Sequence, residues 1–214
     1  GIIGAATAFE LARRGLSGVV CEKGAVAGEA SGRAVGEVGS GGLDLVKLPL
    51  INRAKELWAG YNALLGQETG YRRNGTLSIF ETAEQQAYWE GWLASVKGAA
   101  PEARLIGGAE VARRVALARP WRGAFYDPSD GGAEPKLAAP AIAMAAMRQG
   151  AVFVAPCAVR GIETAGGRVS GVVTEKGPIR ASRVVLAGGC WSSLLAGTLG
   201  LQLPYFNMFS MCRE

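Results

Sequence analysis

The sequence predicts an α/β fold, α+β overall, in which a Rossmann-like nucleotide-binding layer is interrupted by a mixed α+β insertion. Three observations predict it. The chain opens on Gly1-Ile2-Ile3-Gly4, runs into an apolar helix and reaches a short strand, Val19-Val20-Cys21, that ends on Glu22. The middle of the chain mixes strands and helices without a βαβ rhythm. A run of short strands from Ala151 to Ser182 then leads to an apolar stretch, Val184 to Ala187, that opens into Gly188-Gly189.

The opening reads as the tail of a G-x-G-x-x-G turn, with the first strand and first glycine expected upstream of residue 1. Gly1 would let the backbone approach a pyrophosphate, and Gly4 would let the helix pack closely on a sheet. The helix start, with Ile3 in its first turn, would offer unpaired N–H groups and a positive dipole end to phosphates. Gly15 stops this apolar helix, which runs from Ala5 to Arg14. Glu22 lies about 20 residues beyond Gly1, where a carboxylate takes a ribose hydroxyl in such units. An ordinary tight turn before an alanine-rich helix is the alternative.

From Gly24 to Gly42 the chain is rich in Gly, Ala and Ser, with Ser31-Gly32-Arg33 at its centre. A hydroxyl, flexible amides and a guanidinium suit anionic oxygens, although a flexible surface loop fits the composition too. Ile51, Ala54, Trp58, Tyr61 and Leu65 recur three or four residues apart, which predicts a helix with one apolar, core-facing stripe. Pro49 is tolerated in its first turn, and Gly66 is its stop. Gly75–Phe80 alternates as a strand. Thr82 and Gln85 form a capping box for a helix through about Val96. A short helix near Glu110–Val115 and a strand at Gly123–Tyr126 follow, and Asp127-Pro128-Ser129-Asp130-Gly131-Gly132 is turn chemistry.

An alanine-rich helix is expected over Leu137–Gln149, then a strand over Ala151–Ala155. A meander of Ala158–Glu163, Arg168–Thr174 and Pro178–Ser182 comes next. Val184–Ala187 reads as a buried parallel strand, and Trp191-Ser192-Ser193 as a helix start. A strand ending in Gly188-Gly189 at a helix N-terminus is a second place for close cofactor approach.

Composition narrows the chemistry. The chain has 214 residues, 49% of them hydrophobic and 19% charged, as in a folded globular protein rather than a disordered one. The net charge of +5 comes from scattered basic residues, with Arg13-Arg14, Arg72-Arg73 and Arg113-Arg114 as isolated pairs, so a nucleic-acid partner is not expected. No stretch has the ~20 apolar residues of a membrane span. The four cysteines, Cys21, Cys157, Cys190 and Cys212, show no C-x-x-C spacing, so neither a disulfide framework nor a metal site is expected. A reducing, cytoplasmic location is the easier assumption, with attachment at the cytoplasmic face of a membrane left open. There is no histidine, which removes Ser-His-Asp triads and histidine acid/base work.

Taken in order, the motifs resemble the glycine/D-amino-acid oxidase (DAO) family of flavoproteins. The resemblance rests on Gly1-Ile2-Ile3-Gly4, Glu22-Lys23-Gly24, Ser31-Gly32-Arg33, Gly75-Thr76-Leu77 and Asp127-Pro128-Ser129-Asp130-Gly131. It continues through Pro135, Gly167-Arg168-Val169-x-Gly171-Val172 and Val185-Leu186-Ala187-Gly188-Gly189-Cys190-Trp191-Ser192. It implies FAD, expected to be non-covalent, held by Gly1, Ile3, Gly4, Glu22, Lys23, Ser31, Gly32, Arg33, Val159, Ala187, Gly188, Gly189 and Trp191.

Within that set the glycine loop would take the pyrophosphate, Glu22 the adenosine ribose, and Ser31–Arg33 the pyrophosphate toward the flavin. The Val159 backbone would take the adenine. FAD-binding parts are expected at 1–42 and 136–203, a substrate or cap region at 43–135, and the start of a substrate-domain segment at 204–214. The implied activity is bacterial-type oxidation of the C–N bond of a D-amino acid, glycine derivative or secondary amine. Oxygen, a quinone or another carrier would accept the electrons. A 2-hydroxy-acid or glycerol-phosphate dehydrogenase and a non-catalytic dinucleotide-binding module stay open. The missing first strand and the end at Glu214 lead us to expect a fragment whose substrate-anchoring Arg and catalytic groups lie elsewhere. Cys157 and Cys190 are expected to be packing residues.

Overall fold

The computed structural model describes residues 1–96, 98–116 and 120–204. It divides into two compact units. Unit 1 comprises Gly1–Val35, Leu65–Thr69 and the chain from Pro135 onward; unit 2 comprises Gly36–Leu64 and Gly70–Glu134. The expected segment at 204–214, with Cys212, lies outside the described residues except for Pro204.

In unit 1, helix α1 (Ile2–Arg13) packs against helix α5 (Pro135–Arg148). Both faces are built mainly from alanine, with Phe9 and Ile142 as their large buried side chains. Ala5, Ala8, Phe9 and Ala12 are buried on α1, and Ala138, Ala139, Ala141, Ile142, Ala143, Ala145 and Ala146 on α5. Alanine has the highest helix propensity and the smallest side chain able to pack, so one composition both forms the helices and brings them close. Gly15, at φ +73°, ends α1 in the left-handed conformation, and the Leu16 N–H returns to the Leu11 carbonyl at 3.0 Å.

Strand β1 (Val19–Cys21) pairs in parallel with β7 (Val152–Val154), in the register Val19 to Val152 and Cys21 to Val154. Strands β8 (Val159–Ala165), β9 (Arg168–Thr174) and β10 (Gly177–Arg180) form the expected antiparallel meander. The helical start at Trp191 is a 3-10 turn (Gly189–Trp191) running into α6 (Ser192–Gly197).

The expected buried strand at Val184–Ala187 is not formed. No strand pairs with this run among the described residues, and Val185 is 60% exposed. An apolar run becomes a strand only when a neighbour takes up its backbone hydrogen bonds. Without a ladder the run stays irregular.

In unit 2, strands β3 (Thr76–Phe80), β5 (Gly123–Asp127) and β4 (Arg104–Gly107) form an antiparallel sheet with β5 in the centre. Strand β4 was not anticipated, because Arg104-Leu105-Ile106-Gly107 does not alternate apolar and polar residues. Ile106, Val111 and Ala124 form the apolar centre, with Leu77, Ile79 and Tyr126 against it. Helix α3 (Ala83–Ser95) carries the expected capping box in full, and helix α4 (Gly108–Arg114) follows β4 directly. Trp89 stacks on Phe125 at 4.4 Å, Trp92 meets the same ring edge-on at 5.2 Å, and the Trp92 indole donates to the Leu43 carbonyl.

The segment read as one loop from Gly24 to Gly42 is divided between the units. It holds a 3-10 turn at Ala30–Gly32 and a short strand β2 (Glu37–Val38), which pairs with β6 (Gly131–Gly132). Helix α2 (Leu48–Leu65) carries Pro49 in its first turn and ends before Gly66, as expected. Ile51, Ala54, Trp58 and Tyr61 are only half-buried, and Trp58 stacks on Tyr71 at 5.9 Å. Among the described residues, no helix is long and apolar enough to cross a membrane.

Candidate functional site

Every expected cofactor residue lies in unit 1. The start of α1 is the anchor. The N–H groups in the first turn of a helix have no intrahelical acceptor. Here the Ile2 N–H donates to Ser31 Oγ at 2.9 Å, leaving the Ile3 and Gly4 N–H groups at the helix tip. A Cβ at Gly1 would stand 2.8 Å from Ser31 Oγ, and one at Gly4 would stand 3.5 Å from the Ala187 methyl. The glycine turn therefore brings together the Ser31 loop and the 184–189 run, two segments far apart in sequence. No acidic residue lies within the first turn of α1 itself.

Glu22 follows β1. Its N–H donates to the Val154 carbonyl and its carbonyl accepts from the Cys157 N–H at 2.7 Å, which fixes its backbone to the strand end. The Glu22 carboxylate accepts the Gly24 N–H at 3.0 Å and stands 3.5 Å from the Gly1 nitrogen. Val159 is reached through this junction, two residues beyond Cys157, and pairs with Thr174 in the meander. Burial raises the Cys21 thiol pKa, and the Cys157 thiol beside it raises it further. Cys157 is buried, as expected of a packing residue, whereas Cys190 is exposed, contrary to the expectation.

Ser31-Gly32-Arg33 is held in shape from within. A Cβ at Gly32 would meet the Ala27 carbonyl oxygen at 1.9 Å, so only glycine fits there. Arg33 donates to the Gly28 carbonyl from Nε at 3.2 Å and from Nη2 at 3.0 Å, and its Nη2 lies 3.5 Å from Glu29 Oε2. In this conformation the guanidinium braces its own loop, and its side chain is 71% exposed.

Sequence reasoning missed Glu29, which also pairs with Lys23 Nζ at 2.6 Å. The hydrogen bond from Lys23, its charge and that of Arg33 hold the Glu29 carboxyl below its ordinary range. Lys23 in turn lies over the Trp191 ring, 4.2 Å from its centroid. The turn at Gly188–Trp191 is thus joined to the end of β1.

Unit 2 holds a second polar cluster, of which only the turn residues were read from the sequence. Ser40, Asp127 and Asp130 are fully buried, and Lys55 lies against them. Lys55 Nζ is 2.7 Å from Asp130 Oδ1, 3.5 Å from Asp127 Oδ2 and 2.5 Å from Ser129 Oγ. Ser40 Oγ donates within reach of both aspartates, Thr76 Oγ1 donates to Asp130 Oδ2, and the Ser129 hydroxyl and N–H donate to Asp127 Oδ1. Burial pushes the Asp127 carboxyl up, but the Ser129 bonds, Lys55 and Ser40 outweigh it and hold the carboxyl below its ordinary value. Among the described residues, no group of three or more His, Cys, Asp or Glu side chains could hold a metal ion.

Comparison with known proteins identifies the family. The family model described as FAD dependent oxidoreductase, DAO, matches residues 1–210. A glycine oxidase from Geobacillus kaustophilus is 30% identical over 99% of this chain, and a sarcosine oxidase subunit beta from Rhodobacter capsulatus is 27% identical over 96%. The solved structure of L-amino acid deaminase from Proteus myxofaciens, in complex with anthranilate, superposes with a TM-score of 0.89. It is 41% identical over 95% of this chain. The chain spans 58%, 51% and 47% of those three proteins, about half the length of each. The family match covers nearly all of this sequence, and the chain belongs to the DAO family of FAD-dependent oxidoreductases.

Proposed function

We propose that this chain supplies the cofactor-holding part of an enzyme that oxidises the C–N bond of an amino acid or amine. The observation that carries the reading is the family match across residues 1–210. It is supported by the glycine turn of α1, which meets both Ser31 and Ala187. In this reading 1–42 and 136–203 hold FAD, and 43–135 forms the substrate side.

The residues suit such a ligand. The Ile3 and Gly4 N–H groups and the Ser31 hydroxyl are donors for a pyrophosphate at a helix N-terminus. Glu22 takes a ribose hydroxyl, the Val159 backbone takes the adenine, and Ala187, Gly188 and Gly189 offer backbone without bulk. Gly32 keeps the Ser31 loop tight against α1, while Lys23 and Arg33 place positive charge beside the loop. In this reading the cofactor is held non-covalently. Flavin, when bound, supplies the hydride acceptor that no side chain can provide. The resulting imine hydrolyses in water.

The 41% identity to an L-amino acid deaminase favours an L-α-amino acid as substrate. A second reading, a glycine derivative or secondary amine, is favoured by the likeness to glycine oxidase and a sarcosine oxidase subunit. The test is the visible flavin spectrum of the purified full-length protein, recorded anaerobically with L-amino acids, D-amino acids, glycine derivatives and 2-hydroxy acids. Bleaching by an amino compound is expected, and the compound names the class. Bleaching only by hydroxy acids would overturn the reading in favour of a hydroxy-acid dehydrogenase. Bleaching by D-amino acids alone would return the substrate to the D series. Readmitting oxygen, or adding a soluble quinone instead, then identifies the acceptor that restores the colour.

A further inference from the structure

Lys23 is held by two partners of opposite kind. Its ammonium pairs with Glu29 at 2.6 Å, on the same loop, and lies 4.2 Å over the ring of Trp191, which belongs to the second part of unit 1. Trp191 is 39% exposed and the Lys23 side chain 42% exposed, so burial does not explain why these two meet. A lysine beside a tryptophan face is attracted electrostatically by the ring. The contact joins the residue directly after Glu22 to the turn that begins at Gly188. These are two of the segments that grip the cofactor in the reading above, on which this inference rests.

We infer that Trp191 is a positioning residue for FAD, acting through Lys23. Its ring fixes the Lys23 stem, and with it the Glu22 strand end, relative to the Gly188–Gly189 turn. The two walls of the site then stay in register. Glu29 holds the same ammonium from the loop side and completes a three-point clasp. The clasp lies at the surface, so its loss should be felt in ligand affinity and not in folding.

The test is a double-mutant cycle on the purified full-length protein, reading the FAD dissociation constant by flavin fluorescence. Trp191→Leu and Lys23→Met should each weaken FAD about twofold to fivefold, the range of an exposed cation–π contact. The double variant should be no weaker than the poorer single, and Trp191→Phe, which keeps a ring, should recover most of the affinity. The ring-current shift of the Lys23 ε-methylene protons should vanish in Trp191→Leu. If Trp191→Leu does not fold, Lys23→Arg against Lys23→Met decides, because Arg keeps the stack and should keep the affinity. Losses that multiply in the double variant, or a Trp191→Leu protein that binds FAD as the wild type does, would overturn the inference and leave the cofactor reading intact. A wild-type protein that binds no FAD would overturn both.

Discussion

Two lysine–carboxylate clusters organise this chain, and they differ in one respect that decides their roles. In unit 2, Lys55 is 11% exposed and its partners Asp127 and Asp130 are not exposed at all. In unit 1, Lys23, Glu29 and Arg33 have side chains 42%, 45% and 71% exposed. Charges removed from water must be paired and hydrogen-bonded nearly completely, since an orphan left behind cannot be solvated. The buried cluster meets that demand with Ser40, Ser129 and Thr76, and it pins loop 39–40 and strand β3 to the end of β5. The exposed cluster can exchange its partners for water or for a ligand at little cost. Similar chemistry makes a keystone in one place and an adaptable rim in the other.

The largest effect that can break this contrast is Lys55→Met. It leaves two buried aspartates without a cation and should cost about 3–5 kcal/mol in denaturant unfolding, the usual penalty for breaking a buried pair. A loss near zero would mean that the cluster is hydrated.

Acid sharpens the same point with a smaller effect. The folded Asp127 carboxyl titrates below its unfolded value, so its contribution is present above the unfolded pKa of about 3.9 and is lost as pH falls through the folded one. Unfolding midpoints should be level near neutrality and decline below about pH 4. The gap between wild type and Lys55→Met should narrow there, because protonation removes the unpaired charge. A gap that is constant with pH would contradict the assignment. The smallest effect belongs to Glu29→Gln, which should leave the unfolding midpoint unchanged within error. A clear drop would mean that the exposed cluster is structural after all.

What the sequence disclosed follows the same division between near and far. The capping box at Thr82 and Gln85, the alanine face of α5 and the turns of the meander are written in residues a few positions apart, and each was legible. The Ser40 cluster was not, because Ser40 meets Asp127 and Asp130 across 87 and 90 positions and nothing local marks the pairing. Val184–Ala187 misled for the converse reason. Its composition is that of a strand, but a strand also needs a neighbour, which composition does not report. In the candidate site, Gly1, Gly4, Glu22 and Ser31 were readable as a pattern. The pairings of Lys23 with Trp191, and of Lys23 and Arg33 with Glu29, emerge only from the folded chain.

In the reading proposed above, unit 1 receives FAD around the start of α1. The most direct test of that reading is the thermal unfolding midpoint of the purified full-length protein, stripped of flavin and titrated with FAD, for wild type and for Glu22→Gln. A ligand that binds only the folded state at a hundred times its dissociation constant adds about 2.7 kcal/mol. The wild-type midpoint should therefore climb with FAD, and Glu22→Gln should need more FAD for the same rise while unfolding like wild type without it. A wild-type midpoint that FAD does not move, or a Glu22→Gln titration that overlays the wild type, would contradict the assignment of this site.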